Sequence, residues 1–477
     1  MRSAVRDLAI VLVVSWLARG AFAAAIGDAH SLDVEYWRGA LSAQDEGRNP
    51  YETGVLNWPP LWLVVIVTLD YAANLVDVGF LTALRLYLVL VESLLVVALY
   101  FTLVSFGAEP RAVRRALLVG IALNPITIIL VCQHGNSDVQ VGLLVVLAVA
   151  ALGAYWRSRD VLLWLCGCLF VGLGVLAKTA PLVIAPILAP GARVASRIGR
   201  ALGVALVVGP AALGVAVILA LAPSAVLDHV IGYRSTRGFF GVSGMVTEFG
   251  VFDQRFTVVT LLALATLAFS AVLWRWSSDE PRSRPERSFL LIAGCVIVAL
   301  LWVAEAFDRF TSLDVREYYI RGFTFVVFAA VAWLGYRLWR SPPLKPRELF
   351  LLVAVIFMLV VAFGPGYGAH YAYWFIPALV ATYVLFDNAW RRLLLVAYVV
   401  AGLTYAVEYA FVPFLGGYAA AMFGSSEWMT DVSDYLTVPH RWVIFRLPLL
   451  VVYLVVIAQG IARLSNEPAA PAYDAKL

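Results

Sequence analysis

Uninterrupted apolar stretches about as long as a bilayer is thick recur along this chain, and arginine clusters punctuate them. That pattern constrains the fold more than any motif. Cut at arginines, prolines and charged clusters, the stretches fall near residues 5–26, 80–106, 114–131, 138–156, 160–177, 180–190, 201–222, 256–276, 288–307, 322–340, 349–365, 371–386, 393–414 and 441–463. They are apolar on all sides, not on alternate residues, which points to buried or lipid-facing helices and away from a β-barrel. With 62% hydrophobic residues, 14% charged and a mean hydropathy of +0.87, a soluble enzyme is excluded. The expected fold class is all-α: a polytopic membrane protein of about fourteen transmembrane helices, with interfacial helices in the first outward loop.

Arginine placement sets the expected topology. The segment 59–78 is apolar enough to cross but carries Asp70, Asn74 and Asp77. If it crossed, the cluster Arg111, Arg114 and Arg115 would face outward and every later basic loop would invert. Laid along the outer interface, opened by Pro59 and Pro60, it leaves all basic loops on one side: Arg2/Arg6, 111–115, Arg157/Arg159, 193–200, 282–287, 340–347 and Arg391/Arg392. Both termini are then cytoplasmic. Arg2, Arg6, the apolar run 8–18 and the small residues 21–25 imitate a signal peptide, read here as a retained first span of a multi-pass plasma-membrane protein.

The segments left outside are 27–58, 133–137, 222–255, 308–321, 365–369 and 416–440, and all five histidines (His30, His134, His229, His370, His440) lie in or beside them. A net charge of +4, dispersed among loops, excludes nucleic acid as a partner. Cys132, Cys166, Cys168 and Cys295 have no zinc or disulfide spacing and read as buried thiols. Residues 1–255 form one expected module, 256–463 a second that completes the site, and 464–477 a disordered cytoplasmic tail.

Asp33 and Glu35 follow the first span, where a carboxylate is half shielded yet reaches a head-group, a suitable position for a general base. Around them stand Asn49-Pro50-Tyr51 and Pro59-Pro60-Leu61, then Asn124-Pro125, His134-Gly135-Asn136-Ser137-Asp138, Lys178 with Pro181, and His370-Tyr371-Ala372-Tyr373-Trp374. In this order the motifs resemble the GT-C membrane glycosyltransferases that use polyprenyl-phosphate sugars. The similarity is greatest to the mannosyltransferases of glycosylphosphatidylinositol assembly and to bacterial enzymes acting on phosphatidylinositol mannosides. The resemblance implies an inverting transfer of a hexose, mannose first, from a polyprenyl-phosphate donor to a lipid or glycolipid acceptor at the extracytoplasmic face, with no cofactor beyond the donor. It also implies Asp33 as base, with Glu35, His134, Asp138, Lys178, Arg234, Arg237, His370 and Tyr371 binding substrate. Relatives often carry Asp-x-Asp where this chain has Asp33-x-Glu35, so no metal ligands are assigned and the divalent-metal requirement is left open.

Each residue also has a plainer account. Lys178, one of three lysines, would contact phosphate or snorkel to the interface. Arg234 and Arg237 would grip phosphate or be solvated loop arginines, and His370 would bind donor or pack at the interface. His134 and Asp138 would bind sugar hydroxyls, or Ser137 and Asp138 would cap a helix. Trp37, Trp58, Trp62 and Trp374 suit either an aromatic belt or sugar stacking. Glu92, mid-span, must be paired, protonated or face a cavity. A glycolipid flippase and a surface-polysaccharide polymerase or ligase are the rival functions. A flippase would place ionisable groups along a midplane path and show repeats.

Overall fold

The structure, a computed structural model, describes residues 2–54, 56–231, 241, 315–340, 344–364 and 369–466. These residues are helical, with no strand among them. Without water in a bilayer core, a helix satisfies each backbone group within its own segment. In chain order the principal helices are α1 (Arg2–Ile26), α2 (Leu32–Asp45), α3 (Pro60–Leu75), α4 (Phe80–Ser105), α5 (Pro110–Leu117), α6 (Pro125–Ile129), α7 (Asp138–Ser158), α8 (Val161–Ala177), α9 (Ala189–Val194) and α10 (Arg197–Leu221). They continue as α11 (Val315–Arg340), α12 (Pro346–Phe363), α13 (Ile376–Leu385), α14 (Asn388–Phe411) and α15 (Leu447–Asn466).

Among the described residues, seven helices are long and apolar enough to cross a membrane: α1, α4, α7, α10, α12, α14 and α15. A bent pair, Pro110–Ala122 and Pro125–His134, meeting at 49°, makes an eighth if it is one span. The expected spans 256–276 and 288–307 lie outside the described residues. The expected spans 180–190 and 371–386 are not single regular helices. Proline removes backbone donors there, and the chain takes 3-10 turns over Ala180–Leu188 and Ala369–Trp374 before α9 and α13. A 3-10 turn rises about 2.0 Å per residue against about 1.5 Å for an α-helix, so these short stretches still cover much of a bilayer's depth.

The bundle has two chemically distinct ends. At one, here the head, the Arg85 guanidinium of α4 donates to the carbonyls of Cys132 (2.6 Å), Gly27 (2.7 Å) and Ala29 (3.0 Å). At the foot of the same helix, the Ser105 carbonyl accepts from Arg157 at 3.1 Å. Twenty-six residues separate the ends of α4, about 39 Å. Arg114–Asp7 and Arg463–Asp387, both 2.7 Å, also hold the foot. The arginine clusters around 111–115, 157–159 and 391–392 thus gather at one end, and His30, His134 and His370 at the other.

Between them lies a buried polar staple. Arg19 of α1 and Glu92 of α4, each 1% exposed, form an ion pair. Arg19 also donates to the Ala122 carbonyl at 2.8 Å and to Thr127 at 3.0 Å, while Glu92 accepts from Tyr373. Residues Leu118–Ala122 are wound as a π-turn, and the carbonyls of Ile121 and Ala122 in that turn both accept from Arg19. Glu92 is therefore paired, by an arginine inside the first span. A second buried set, Glu408 with Arg446 and Trp442, ties α14 to the chain before α15. Elsewhere small residues permit close packing: a Cβ on Gly172 of α8 would stand 2.0 Å from the Leu206 carbonyl of α10. Cys132 and Cys168 are buried as expected, but Cys166 is exposed on α8.

Candidate functional site

The head is built from a helix start laid against a tight turn. Within the outward segment 27–58, where interfacial helices are expected, residues 32–45 form α2. The Ser31 amide donates to the Gln133 carbonyl at 3.0 Å, its hydroxyl to the His134 carbonyl at 2.7 Å, and the Trp37 indole to the Gly135 carbonyl at 3.1 Å. Gly135 makes this approach possible. Its φ of +67° is left-handed, and a Cβ there would meet Val34 at 2.9 Å. Residues Leu130–His134 are a second π-turn, which delivers His134 to the junction.

These contacts bring Asp33, in the first turn of α2, over the second outward segment. Its Oδ2 accepts from the Asn136 amide at 2.6 Å and meets His134 Nε2 at 3.1 Å. His134 Nδ1 meets the Tyr409 hydroxyl at 2.7 Å. Among the described residues both partners of Asp33 bind Oδ2, and the side chain keeps 19% of its surface exposed. Burial pushes the Asp33 carboxyl up, but the charge and hydrogen bond of His134, the Lys178 ammonium and the Asn136 hydrogen bond outweigh it and hold the group below its ordinary value.

A second cluster abuts the first. Lys178, at the end of α8, reaches both oxygens of Asp138, at 2.9 and 3.1 Å. Its ammonium also lies 4.6 Å from the Tyr371 ring centre and 5.3 Å from that of Trp374. Tyr371 and Trp374 stack at 4.3 Å, and the Trp374 indole donates to Asp138. His370 Nε2 is 3.6 Å from Asp138, and its ring lies 4.3 Å from that of His134, joining the clusters. Burial, then the charges of Lys178 and His134, holds the His370 imidazole well below its ordinary value, so it stands neutral near pH 7.

Of the residues picked out by sequence, Asp33, His134, Asp138, Lys178, His370 and Tyr371 come together. Glu35 does not join them. Two positions along a helix turn the side chain by about 200°, and Glu35, half exposed, pairs instead with His30 and with Arg38 at 3.0 Å. Arg234 and Arg237 lie outside the described residues, as does the side chain of His440. Ser137 does not cap α7: its backbone is in the helical region (φ −62°, ψ −8°), not the extended one a cap needs, and its hydroxyl donates to Asn136 at 3.1 Å. Asp138 is occupied by Lys178 rather than by capping. Asn124 and Asn49 do cap, accepting from the amides of Ile126 (2.9 Å) and Tyr51 (3.1 Å).

Trp37, Trp58 and Trp62 form neither a belt nor an open stacking surface. They pack edge to face beneath α2 at 4.4 and 5.5 Å, at most 9% exposed. Sequence reasoning missed Tyr409 and Arg19. Arg19 carried a signal, an arginine inside an apolar span; Tyr409, one of 21 tyrosines, carried none. Asp33, His134 and His370 each place one donor atom within 4.8 Å of the other two, a set chemically able to hold a divalent ion, with the Lys178 charge behind it in opposition. No family model matches the chain, and no curated protein matches it.

Proposed function

We propose that the chain is a membrane-integral inverting glycosyltransferase that moves a hexose, mannose first, from a polyprenyl-phosphate donor to a lipid-linked acceptor. It would cross the plasma membrane about fourteen times with the head outside the cell. The observation that carries this reading is Asp33: a carboxylate kept ionised, with one oxygen tethered by Asn136 and His134 and part of its surface open at the head. In the transfer, the acceptor hydroxyl oxygen attacks the anomeric carbon from the face opposite the donor phosphate. The bond from that carbon to the phosphate oxygen breaks, polyprenyl phosphate leaves, and Asp33 takes the hydroxyl proton. One carboxylate suffices because the phosphate leaves as an anion without protonation, unlike the two needed in glycoside hydrolysis.

His134 and Asn136 would aim Asp33, and neutral His370 would offer a ring N–H to the substrate. Lys178 acts differently from what the family resemblance implies. With its charge met by Asp138, it would brace the Tyr371–Trp374 stack and leave direct phosphate contact to other residues. Among the described residues, ions buried inside the bundle are tied off in pairs, Arg19 with Glu92 and Arg446 with Glu408, which supports an enzyme over a flippase with an ionisable path.

The test is purified protein supplied with labelled polyprenyl-phosphate mannose and a panel of lipid acceptors. Transfer to an acceptor is expected. An Asp33→Asn variant that folds normally should lose about 100-fold or more of the rate. Full activity in that variant removes Asp33 from its role, and transbilayer movement of a labelled glycolipid without any transfer product would favour the flippase.

A further inference from the structure

At the foot, far from Asp33, three segments distant in sequence enclose a cavity of about 750 Å³. The turn after α4 supplies Phe106, Gly107, Ala108, Glu109 and Ala112, the start of α12 supplies Lys345 and Arg347, and the end of α13 with α14 supplies Val384, Leu385 and Arg391. The lining holds three cations and one carboxylate.

The electrostatics of its walls are positive beyond those side chains. Two helices begin here, α5 at Pro110 and α12 at Pro346, each presenting the positive end of its dipole. Glu109 makes no side-chain cap on α5. Glu348 is engaged with Lys345, accepting its backbone amide at 2.8 Å and standing 3.8 Å from its ammonium. Two helices also end here, and an arginine meets each: Arg391 donates to the carbonyls of Tyr383 (2.9 Å) and Val384 (3.1 Å) at the end of α13, and Arg157 to that of Ser105 (3.1 Å) at the end of α4. Phe106, Ala108, Ala112, Val384 and Leu385 give the same cavity apolar sides.

Positive charge over apolar walls, at the basic end of a membrane bundle, matches a phosphate carried on acyl chains. We infer that this cavity binds the phosphodiester head-group of an anionic glycerophospholipid from the leaflet at the foot. The inference does not depend on the transfer reaction proposed for the head.

The full-length protein would be placed in nanodiscs of phosphatidylcholine alone or with one quarter phosphatidylglycerol, and retained lipid counted by native mass spectrometry. Phosphatidylglycerol should be retained in preference and should raise the unfolding temperature. Lys345→Gln and Arg347→Gln should each weaken that retention about fivefold, as expected for one charge at a lipid surface, while Arg347→Lys keeps most of it. Equal retention of both lipids by the wild-type protein overturns the inference, as does undiminished phosphatidylglycerol on folded Gln variants. Should a Gln variant fail to fold, the wild-type preference decides alone. Displacement of the lipid by inorganic phosphate as readily as by short-chain phosphatidylglycerol would mark a soluble-phosphate site and overturn the lipid assignment.

Discussion

Replacing Arg19 with leucine should expose how the middle of the bundle is held. Arg19 and Glu92 are each 1% exposed, so removing the guanidinium strands a carboxylate among apolar side chains. Breaking a buried pair by removing one partner costs about 3–5 kcal/mol, because the charge left behind is uncompensated. Arg19 also serves the Ala122 carbonyl and Thr127, and losing those bonds adds about 1 kcal/mol each. The single variant should therefore fall by about 5–7 kcal/mol. Arg19→Leu with Glu92→Leu should recover most of the carboxylate's share, leaving about 2 kcal/mol. The assay is denaturant unfolding of the detergent-solubilised protein followed by tryptophan fluorescence. If the two single losses simply add in the double variant, the stranded-carboxylate account is wrong.

Further outcomes follow from the head. Glu35→Gln should change the transfer rate less than about threefold and stability by less than about 1 kcal/mol, since its pairs with His30 and Arg38 are partly solvated; a loss matching Asp33→Asn would restore Glu35 to the site. Gly135→Ala should cost about 1–2 kcal/mol in unfolding experiments, from its left-handed backbone and the Val34 contact. Because the Asp33 carboxyl is depressed, the stability it contributes is present above its unfolded value near 3.8 and is lost as pH falls through the lower folded value. The wild-type advantage over Asp33→Asn should thus hold constant from pH 7 to pH 5. His370 is depressed in the opposite sense for stability: the unfolded chain binds its proton below 6.5 while the folded one does not, so His370→Gln should lessen the stability lost between pH 6.5 and 5.

Periodicity and arginine counting made much of the architecture legible, because helices that meet lipid on most sides are written as runs, and runs survive without knowledge of their neighbours. Among the described residues, the grouping of the basic clusters 111–115, 157–159 and 391–392 at one end and of His30, His134 and His370 at the other also followed from counting alone. What escaped was local winding. Nothing in 180–190 or 371–386 except scattered prolines announces 3-10 turns, and nothing in Leu130–His134 announces a π-turn. The site was legible where a residue is chemically out of place, as Asp33 and Lys178 are. It was opaque where the partner is ordinary. Tyr409 matters only because α14 carries it to His134, a juxtaposition across 275 residues of chain. Asp33 and Glu35, two positions apart, are separated by the helical winding of α2, which turns one to His134 and the other to Arg38.

The π-turn at Leu130–His134 holds one residue more than an α-helix would need for the same rise. Excising a single codon ahead of His134 there would let regular winding resume over nearly the same rise and rotation, so the imidazole should keep its place. Inserting one more codon instead would swing it by about 100°, away from both the Tyr409 hydroxyl and Asp33, although no contacting side chain had been altered. A deletion scan through these five positions would separate reading-frame geometry from side-chain identity. It also suggests how such a pocket can arise from an inert bundle by one insertion, without a new motif.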